Sequence, residues 1–250
     1  MKRFQLLLVL VVSIILFLHS ARFLRPWIPT EVINLDRSPG RMMITKLQAI
    51  LYGIPVERHP AIDGNAVEFP DEFVDAYFSN ENWKRRYVER HKDPKKTNRV
   101  MACAVSHFSI WEKFYDAKAA YVFVLEDDLV LEPQHRQKVN AVVNGLNTYD
   151  PDWHIVWFSG NHKSTDTNPA FTIPGHTVCH FNNNGGGGGA YLLSQKGLEH
   201  FVTILRTQGC HDASDEFLWK HLQVEHSYNV HKPICHFTDA ISSTIVMKKA

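Results

Sequence analysis

YVFVLEDD, residues Tyr121 to Asp128, is the stretch on which the reading of this 250-residue chain turns. Its first five residues are a continuous apolar run of strand length, the pattern of a strand covered on both faces in the middle of a sheet. Glu126, Asp127 and Asp128 then stand at the strand's carboxyl end. Three adjacent carboxylates repel one another, and each favours its protonated form unless positive charge meets it. Either they form a solvated acidic turn or a divalent cation resolves the conflict. Residues i and i+2 of an extended segment point the same way, so Glu126 and Asp128 are the pair able to share Mn2+ or Mg2+.

Working outward, helical spacing precedes the run in Cys103, His107, Ile110, Trp111 and Phe114. Further upstream EVINL, Glu31 to Leu35, reads as a strand, and Ser38-Pro39 as a helix N-cap and first-turn proline. Met43, Leu47, Ile50 and Leu51 lie on one face of that helix, which stops at Gly53. Asn34, Leu35, Asp36 and Arg37 therefore sit where a strand's carboxyl end meets a helix start, the place where open α/β sheets bind ligands. Downstream, Pro133 opens a helix with Val139, Val142, Val143 and Leu146 along one side. An apolar strand follows at Trp153 to Phe158, then the run Asn182 to Gly189, a strand at Ala190 to Leu193, and a helix carrying Leu198, Phe201, Val202 and Leu205. Strands and helices alternate throughout, which predicts an α/β sandwich with a mostly parallel central sheet. Between Glu68 and Arg99 the text turns charged and aromatic without a period. It reads as a surface excursion, either a solvated face or a flap able to meet an anionic substrate.

The chain carries 27 Lys and Arg against 26 Asp and Glu. A net charge of +1 gives no broad field to gather nucleic acid by counterion release. At the N-terminus, Lys2 and Arg3 precede the apolar run Leu6 to Leu18. Small residues do not occupy both the −3 and −1 positions of any cleavage site near Ala21, so residues 1–21 read as a signal anchor ahead of a cleaved signal peptide. The expected organisation is that anchor, a short stem over 22–30, and one folded domain over 31–250. The orientation expected is single-pass type II with the domain in the secretory lumen; cleavage would release it as a secreted protein. Cys103, Cys179, Cys210 and Cys235 are widely spaced, which argues against a zinc knuckle and leaves disulfides or buried thiols open. No Asn-x-Ser/Thr sequon is present.

Four other places could carry chemistry. His107 reads as a helix-face core residue or a ligand contact. His236, after Pro233-Ile234-Cys235, is a candidate third metal ligand beside Glu126 and Asp128. The glycines 185 to 189 are either a flexible patch or a loop that lets backbone amides approach a ligand. Asp215 and Glu216 follow Ser214 at a helix start, where capping and the helix dipole favour acids in any case.

Three blocks, in order, resemble glycosyltransferase family 25, the group of bacterial lipopolysaccharide sugar transferases and procollagen galactosyltransferases. They are VINLDRSPGR (Val32 to Arg41), ACAVSHFSIWEKF with YVFVLEDDLVL (Ala102 to Phe114 and Tyr121 to Leu131), and GAYLLSQKGLEHF (Gly189 to Phe201). The resemblance implies a GT-A-like nucleotide-sugar-binding sandwich. It places Asn34, Leu35, Asp36, Arg37, Ser106 and His107 near the nucleotide, and makes Glu126-Asp127-Asp128 the metal-binding acid motif. It also places the Asp-Glu-Phe-Leu stretch near the acceptor, which makes Asp215 the candidate base. The implied reaction moves galactose or glucose from a UDP-sugar, with Mn2+ or Mg2+, to a hydroxyl of a glycan, lipid-linked or protein acceptor, with inversion. The chain departs from the family pattern at Ala102, where a glycine is usual, and at Gly188-Gly189, where Thr-His is usual. Two other classes compete: a catalytically silent, membrane-anchored binding module that keeps the fold, and a metal-dependent phosphohydrolase. The second lacks further His/Asp ligand pairs at regular spacing.

Overall fold

A computed structural model describes residues 27–65, 94–159, 168–181, 188–210 and 213–237. The apolar run Leu6 to Leu18, most of the excursion Glu68 to Arg99, and residues 182–187 lie outside the described residues. In chain order the elements are β1 (Thr30–Asn34), α1 (Pro39–Tyr52), β2 (Glu57–Pro60), α2 (Pro94–Asp116), β3 (Tyr121–Glu126), β4 (Leu129–Leu131) and α3 (His135–Tyr149). They continue with β5 (Ile155–Trp157), β6 (Pro169–Ile173), β7 (His176–His180), β8 (Ala190–Ser194), α4 (Gln195–Gln208), α5 (Ser214–His221), β9 (Ser227–His231) and β10 (Cys235–Phe237).

Eight strands form one sheet in the order β2-β1-β3-β8-β5-β9-β7-β6, and β4 pairs with β10 in a separate ribbon. Six of the eight run in the same direction, while β8 and β7 run against them. This is the α/β architecture expected from the alternation of periods.

The apolar run of β3 is explained by its position between β1 and β8. Val122 and Val124 join a core layer with Phe108, Trp111, Tyr191, Phe201 and Phe217, contributed by α2, β8, α4 and α5. Phe123 and Leu125 point the other way, into a layer with Val139, Val142 and Leu146 of α3. A strand buried on both faces reads as unbroken apolar sequence, because neither set of alternating side chains meets water.

Close backbone packing fixes the start of α4. Ser194 Oγ caps the helix by accepting from Gly197 N at 3.1 Å. A Cβ at Gly197 would stand 2.1 Å from the carbonyl oxygen of His154, a contact that only backbone movement could relieve. Gly197→Ala is therefore expected to lower stability by about 1–3 kcal/mol, read as an earlier denaturant midpoint. An unchanged midpoint would mean that α4 does not seat against the strand before it as described.

The structure differs from the sequence reading at four points. The domain begins before Glu31: Ile28 is buried, Pro29 O accepts from Phe123 N at 2.8 Å, and Trp27 Nε1 donates to Thr30 Oγ1 at 2.9 Å. Residues 27–30 thus belong to the folded unit rather than to a stem. The strand read at Trp153 to Phe158 is three residues long, and the helix after Pro133 begins at His135. The apolar stripe of α1 faces outward: Met43, Leu47, Ile50 and Leu51 are exposed, and Met42, Thr45 and Ala49 face the core. Periodicity reveals that a helix has two faces without saying on which side the sheet lies.

Candidate functional site

The carboxyl ends of β1, β2 and β3 and one face of α2 line a cleft that is partly open to solvent. Each element contributes for a local reason. The turn after β1 carries Leu35 and Arg37, the first turn of α1 carries Arg41, the segment after β2 carries Ala61 to Gly64, α2 presents Cys103 and His107, and β3 ends on Glu126 with Asp127 and Asp128 in the turn that follows.

The three acids have three different environments. Asp127 is fully engaged: Asn34 Nδ2 donates to it at 2.5 Å and Arg41 Nη1 at 2.9 Å, which ties the turn after β1 to the acid motif. Arg58 holds Asn34 in turn, donating from Nε to its side-chain oxygen at 2.8 Å and from Nη2 to its carbonyl at 3.1 Å, and it also pairs with Asp36. Glu126 is anchored through its backbone, with its N–H donating to Gly189 O at 2.7 Å, and its carboxylate remains half-buried at the cleft. Asp128 is buried, and its Oδ1 has no hydrogen-bond partner among the described residues. Burial, with the charges of Glu126 and Asp127 adding to it against the opposing effect of Arg41, pushes its carboxyl up to about 7.

His107 belongs to a relay that fixes its proton. Trp111 Nε1 donates to Tyr191 Oη at 2.8 Å, and His107 Nδ1 lies 2.7 Å from the same oxygen. The buried Tyr191 hydroxyl has no other acceptor among the described residues; donating to Nδ1, it leaves a ring proton on Nε2. That N–H faces Glu126 Oε1 at 3.5 Å, too long for a good hydrogen bond, and is left without a partner. The cleft thus presents a buried donor and a buried acceptor without a hydrogen-bond partner among the described residues. Buried polar atoms are ordinarily paired with protein, water or an ion, so these two are candidate points of contact for a ligand.

A cation could draw on two sets of atoms. Cys103, His107 and Glu126 offer ligand atoms that all lie within 4.8 Å of one another. However, the relay puts a proton on His107 Nε2, and burial, with Glu126 next, pushes the Cys103 thiol well above its ordinary range. Thiolate and imidazole ligands must shed those protons first. Hard Mn2+ and Mg2+ favour oxygen, so Glu126 and Asp128 fit them better than the thiol set.

The other candidates are placed as follows. Leu35, Arg37 and His107 line the cleft. Asn34 and Asp36 support it from behind through Arg58, and Ser106 is a brace: its Oγ accepts from Ile62 N at 3.0 Å and donates to Ala102 O at 2.7 Å. Asp215 stands at the start of α5, whose cap is Ala213 and not Ser214; it does not line the cleft but is close enough to Glu126 for their charges to interact. Burial raises its carboxyl above the ordinary value, with Glu126 adding to the rise, and a Cβ at Gly188 would lie 3.8 Å from its Cβ. His236 is not brought to the acids. It pairs with Val130 in the β4–β10 ribbon, is exposed, and lies 3.0 Å from Glu132. Alternation along β10 turns it away from the face that Phe237 presents to Gly189. The Phe237 ring takes the space beside Gly189, where a Cβ would come within 2.6 Å of it.

Sequence reasoning missed Arg41, Arg58, Cys103 and Tyr191 as parts of the site. Arg41 lies in the first turn of α1 and Arg37 in the turn before it, so no helical spacing links them in the sequence. Arg58 gave no signal, because β2 is a short edge strand of polar sequence, ERHP.

A sequence profile described as "Glycosyltransferase family 25 (LPS biosynthesis protein)" matches residues 28–218. A "Glycosyltransferase 25 family member" from Aedes aegypti is 28% identical over 147 residues, 54% of this chain and 21% of that protein. "Procollagen galactosyltransferase 2" from Mus musculus is 24% identical over 177 residues, 68% of this chain and 27% of its own length. The chain thus spans between a fifth and about a quarter of the length of these relatives. The solved structure of "a glycosyltransferase involved in the glycosylation of the major capsid of PBCV-1" aligns over 86% of this chain and 95% of that one, at 9% identity and a TM-score of 0.41.

Proposed function

Because the chain belongs to glycosyltransferase family 25, we propose that it transfers galactose or glucose from a UDP-sugar to an acceptor hydroxyl, with inversion, in the cleft below Glu126-Asp127-Asp128. The observation that carries this reading is the meeting of Asp128 Oδ1 and His107 Nε2, both buried and unpartnered, in one cleft. A cation-bound diphosphate satisfies both, since it offers positive charge to the first and oxygen to the second. Glu126 and Asp128 would hold Mn2+ or Mg2+, which when bound neutralises charge on the departing diphosphate. Asp127 stays with Asn34 and Arg41 and keeps the cleft wall in place. Asp215 takes the proton of the attacking hydroxyl as its oxygen bonds to the anomeric carbon and the bond to the diphosphate breaks. Burial raises its carboxyl above the ordinary carboxylate value, which strengthens it as a base. The acceptor is a glycan, lipid-linked or protein hydroxyl. Leu6 to Leu18 anchors the chain as a type II membrane protein with the folded domain in the secretory lumen.

The test is nucleotide release by the full chain, in Mn2+, from UDP-galactose, UDP-glucose and non-uridine sugars such as GDP-mannose. The expected result is release from one or both UDP-hexoses alone. Binding of UDP-sugars without release or transfer would favour the silent module, and neither binding nor release would remove the reading.

The tautomer of His107 gives a second expectation. Gln places an amide N–H near the position of Nε2, and Asn does not reach it. His107→Gln should keep UDP affinity within about 10-fold, and His107→Asn should lose more than that, the scale expected when a buried donor to a charged ligand is removed. Calorimetric titration with UDP and Mn2+ checks it, and equal losses in the two variants would remove the donor role.

A further inference from the structure

The outward stripe of α1 gathers five of the exposed large apolar side chains among the described residues. Met43, Leu47 and Leu51 are 60%, 59% and 63% exposed, and Ile44 and Ile50 accompany them. At roughly 100° per residue these five side chains fill about 120° of arc on the side opposite the core-facing Met42, Thr45 and Ala49. The helix contains no acidic residue, and Lys46 flanks the stripe. A soluble surface helix carries its polar residues in this place. Contiguous exposed apolar surface of this kind marks a contact site.

What covers it follows from where the chain leaves the domain. Trp27, the first described residue, lines one depression together with Lys46 and Ile50 of α1. Eight residues, 19 to 26, separate Trp27 from the apolar run Leu6 to Leu18. They reach at most about 29 Å when fully extended. Tethered by Leu6 to Leu18, on whose reading above as the anchor this inference rests, the side of the domain that bears the stripe would be held close to the lipid headgroups. α1 itself is 14 residues long, about 21 Å, too short to cross a hydrocarbon core of about 30 Å. No described helix is long and apolar enough to span a membrane. An apolar arc flanked by a basic residue, on a helix too short to span, suits a helix lying in the interface plane.

We propose that the outward face of α1 rests in the lipid–water interface, as a second membrane contact beside the N-terminal anchor. Met43, Leu47, Ile50 and Leu51 enter the headgroup boundary, and Lys46 reaches toward anionic headgroups. Arg41 of the same helix lines the cleft, so this seating holds the cleft at a fixed attitude to the membrane. The proposal is independent of which reaction the cleft performs.

The test uses the full chain reconstituted into vesicles of equal parts phosphatidylcholine and phosphatidylserine. An environment-sensitive fluorophore is attached at Leu47→Cys, or at Glu199→Cys on the exposed face of α4 as the control, with the similarly treated wild-type chain as the blank for its own cysteines. The expected result is that nitroxide-bearing lipid quenches the label at 47 at least severalfold more than the label at 199, and that aqueous iodide does the reverse. Equal iodide access at the two positions overturns the proposal. So does shielding of position 47 from both quenchers, which a second copy or another part of the chain would produce. A chain that fails to associate with the vesicles also overturns it. Loss of nucleotide release in the labelled proteins would bear on the cleft alone, so the two readings fail separately.

Discussion

Asp215→Asn is expected to reduce turnover by about 10²–10⁴-fold while UDP-sugar affinity changes by no more than about threefold, the pattern of a group that acts on the proton in flight. The carboxylate sits at the first turn of α5, held by the Glu216 N–H at 2.9 Å, and close enough to Glu126 for their charges to interact. Asn keeps the size and the hydrogen bond and removes the basicity. A raised pKa moves the acid limb of the kcat profile upward from the ordinary carboxylate range, because the base works only when deprotonated. Activity in the wild type should therefore rise with pH through that shifted value. The residual activity of Asp215→Asn should lack this limb. Steady-state kinetics across pH decide it: parallel losses in affinity and turnover would make Asp215 a helix-start acid with a structural role.

Asp128 gives the other large effect, and its sign is unusual. The folded protein without metal keeps this carboxyl protonated up to about pH 7, whereas an unfolded chain releases the proton near pH 3.9. Between those values the folded state binds the extra proton, so raising the pH from about 4 to about 7 costs the metal-free fold stability through this group. Asp128→Asn removes that slope. At pH 8 in EDTA the variant should melt at least as high as wild type, higher by about 2–4 °C for each kcal/mol of relieved strain. In Mn2+ with UDP the order should reverse, and transfer should fall on the order of 100-fold or more with the loss of a cation ligand. Melting curves from pH 4 to 8 check the first part. An unchanged pH slope in the variant would show that Asp128 ionises as freely as a solvated acid.

How much of this was legible beforehand depended on the kind of signal. β3 was plain, because a strand buried on both faces writes an unbroken apolar run. α2, α3 and α4 were plain because their periodic residues, such as Trp111, Val142 and Phe201, do face the core. α1 shows the limit of the same logic, since its stripe has the right period and the opposite orientation. The edge strand β2 was unreadable because a half-exposed polar strand carries little pattern, and β6, PAFTI, because it is short, opens on proline and is buried on neither face. The crowding of Glu126, Asp127 and Asp128 at the carboxyl end of β3 was legible from local sequence. The relay through Trp111, Tyr191 and His107 was not, because the hydrogen bonds to Tyr191 join residues 84 and 80 positions apart. His236 was misplaced for the converse reason: its nearness to the apolar Pro233-Ile234-Cys235 said nothing about which face of β10 it occupies.

The most direct measurement is the shift in melting temperature that UDP produces in the full wild-type chain, with Mn2+ and again in EDTA. Occupancy at UDP 100 times its Kd stabilises by about 2.7 kcal/mol, a rise of about 5–10 °C for a domain of this size. A cleft in which Glu126 and Asp128 hold the cation that receives the diphosphate predicts that rise in Mn2+ and almost none in EDTA. An equal rise in EDTA, or no rise in either, would contradict it.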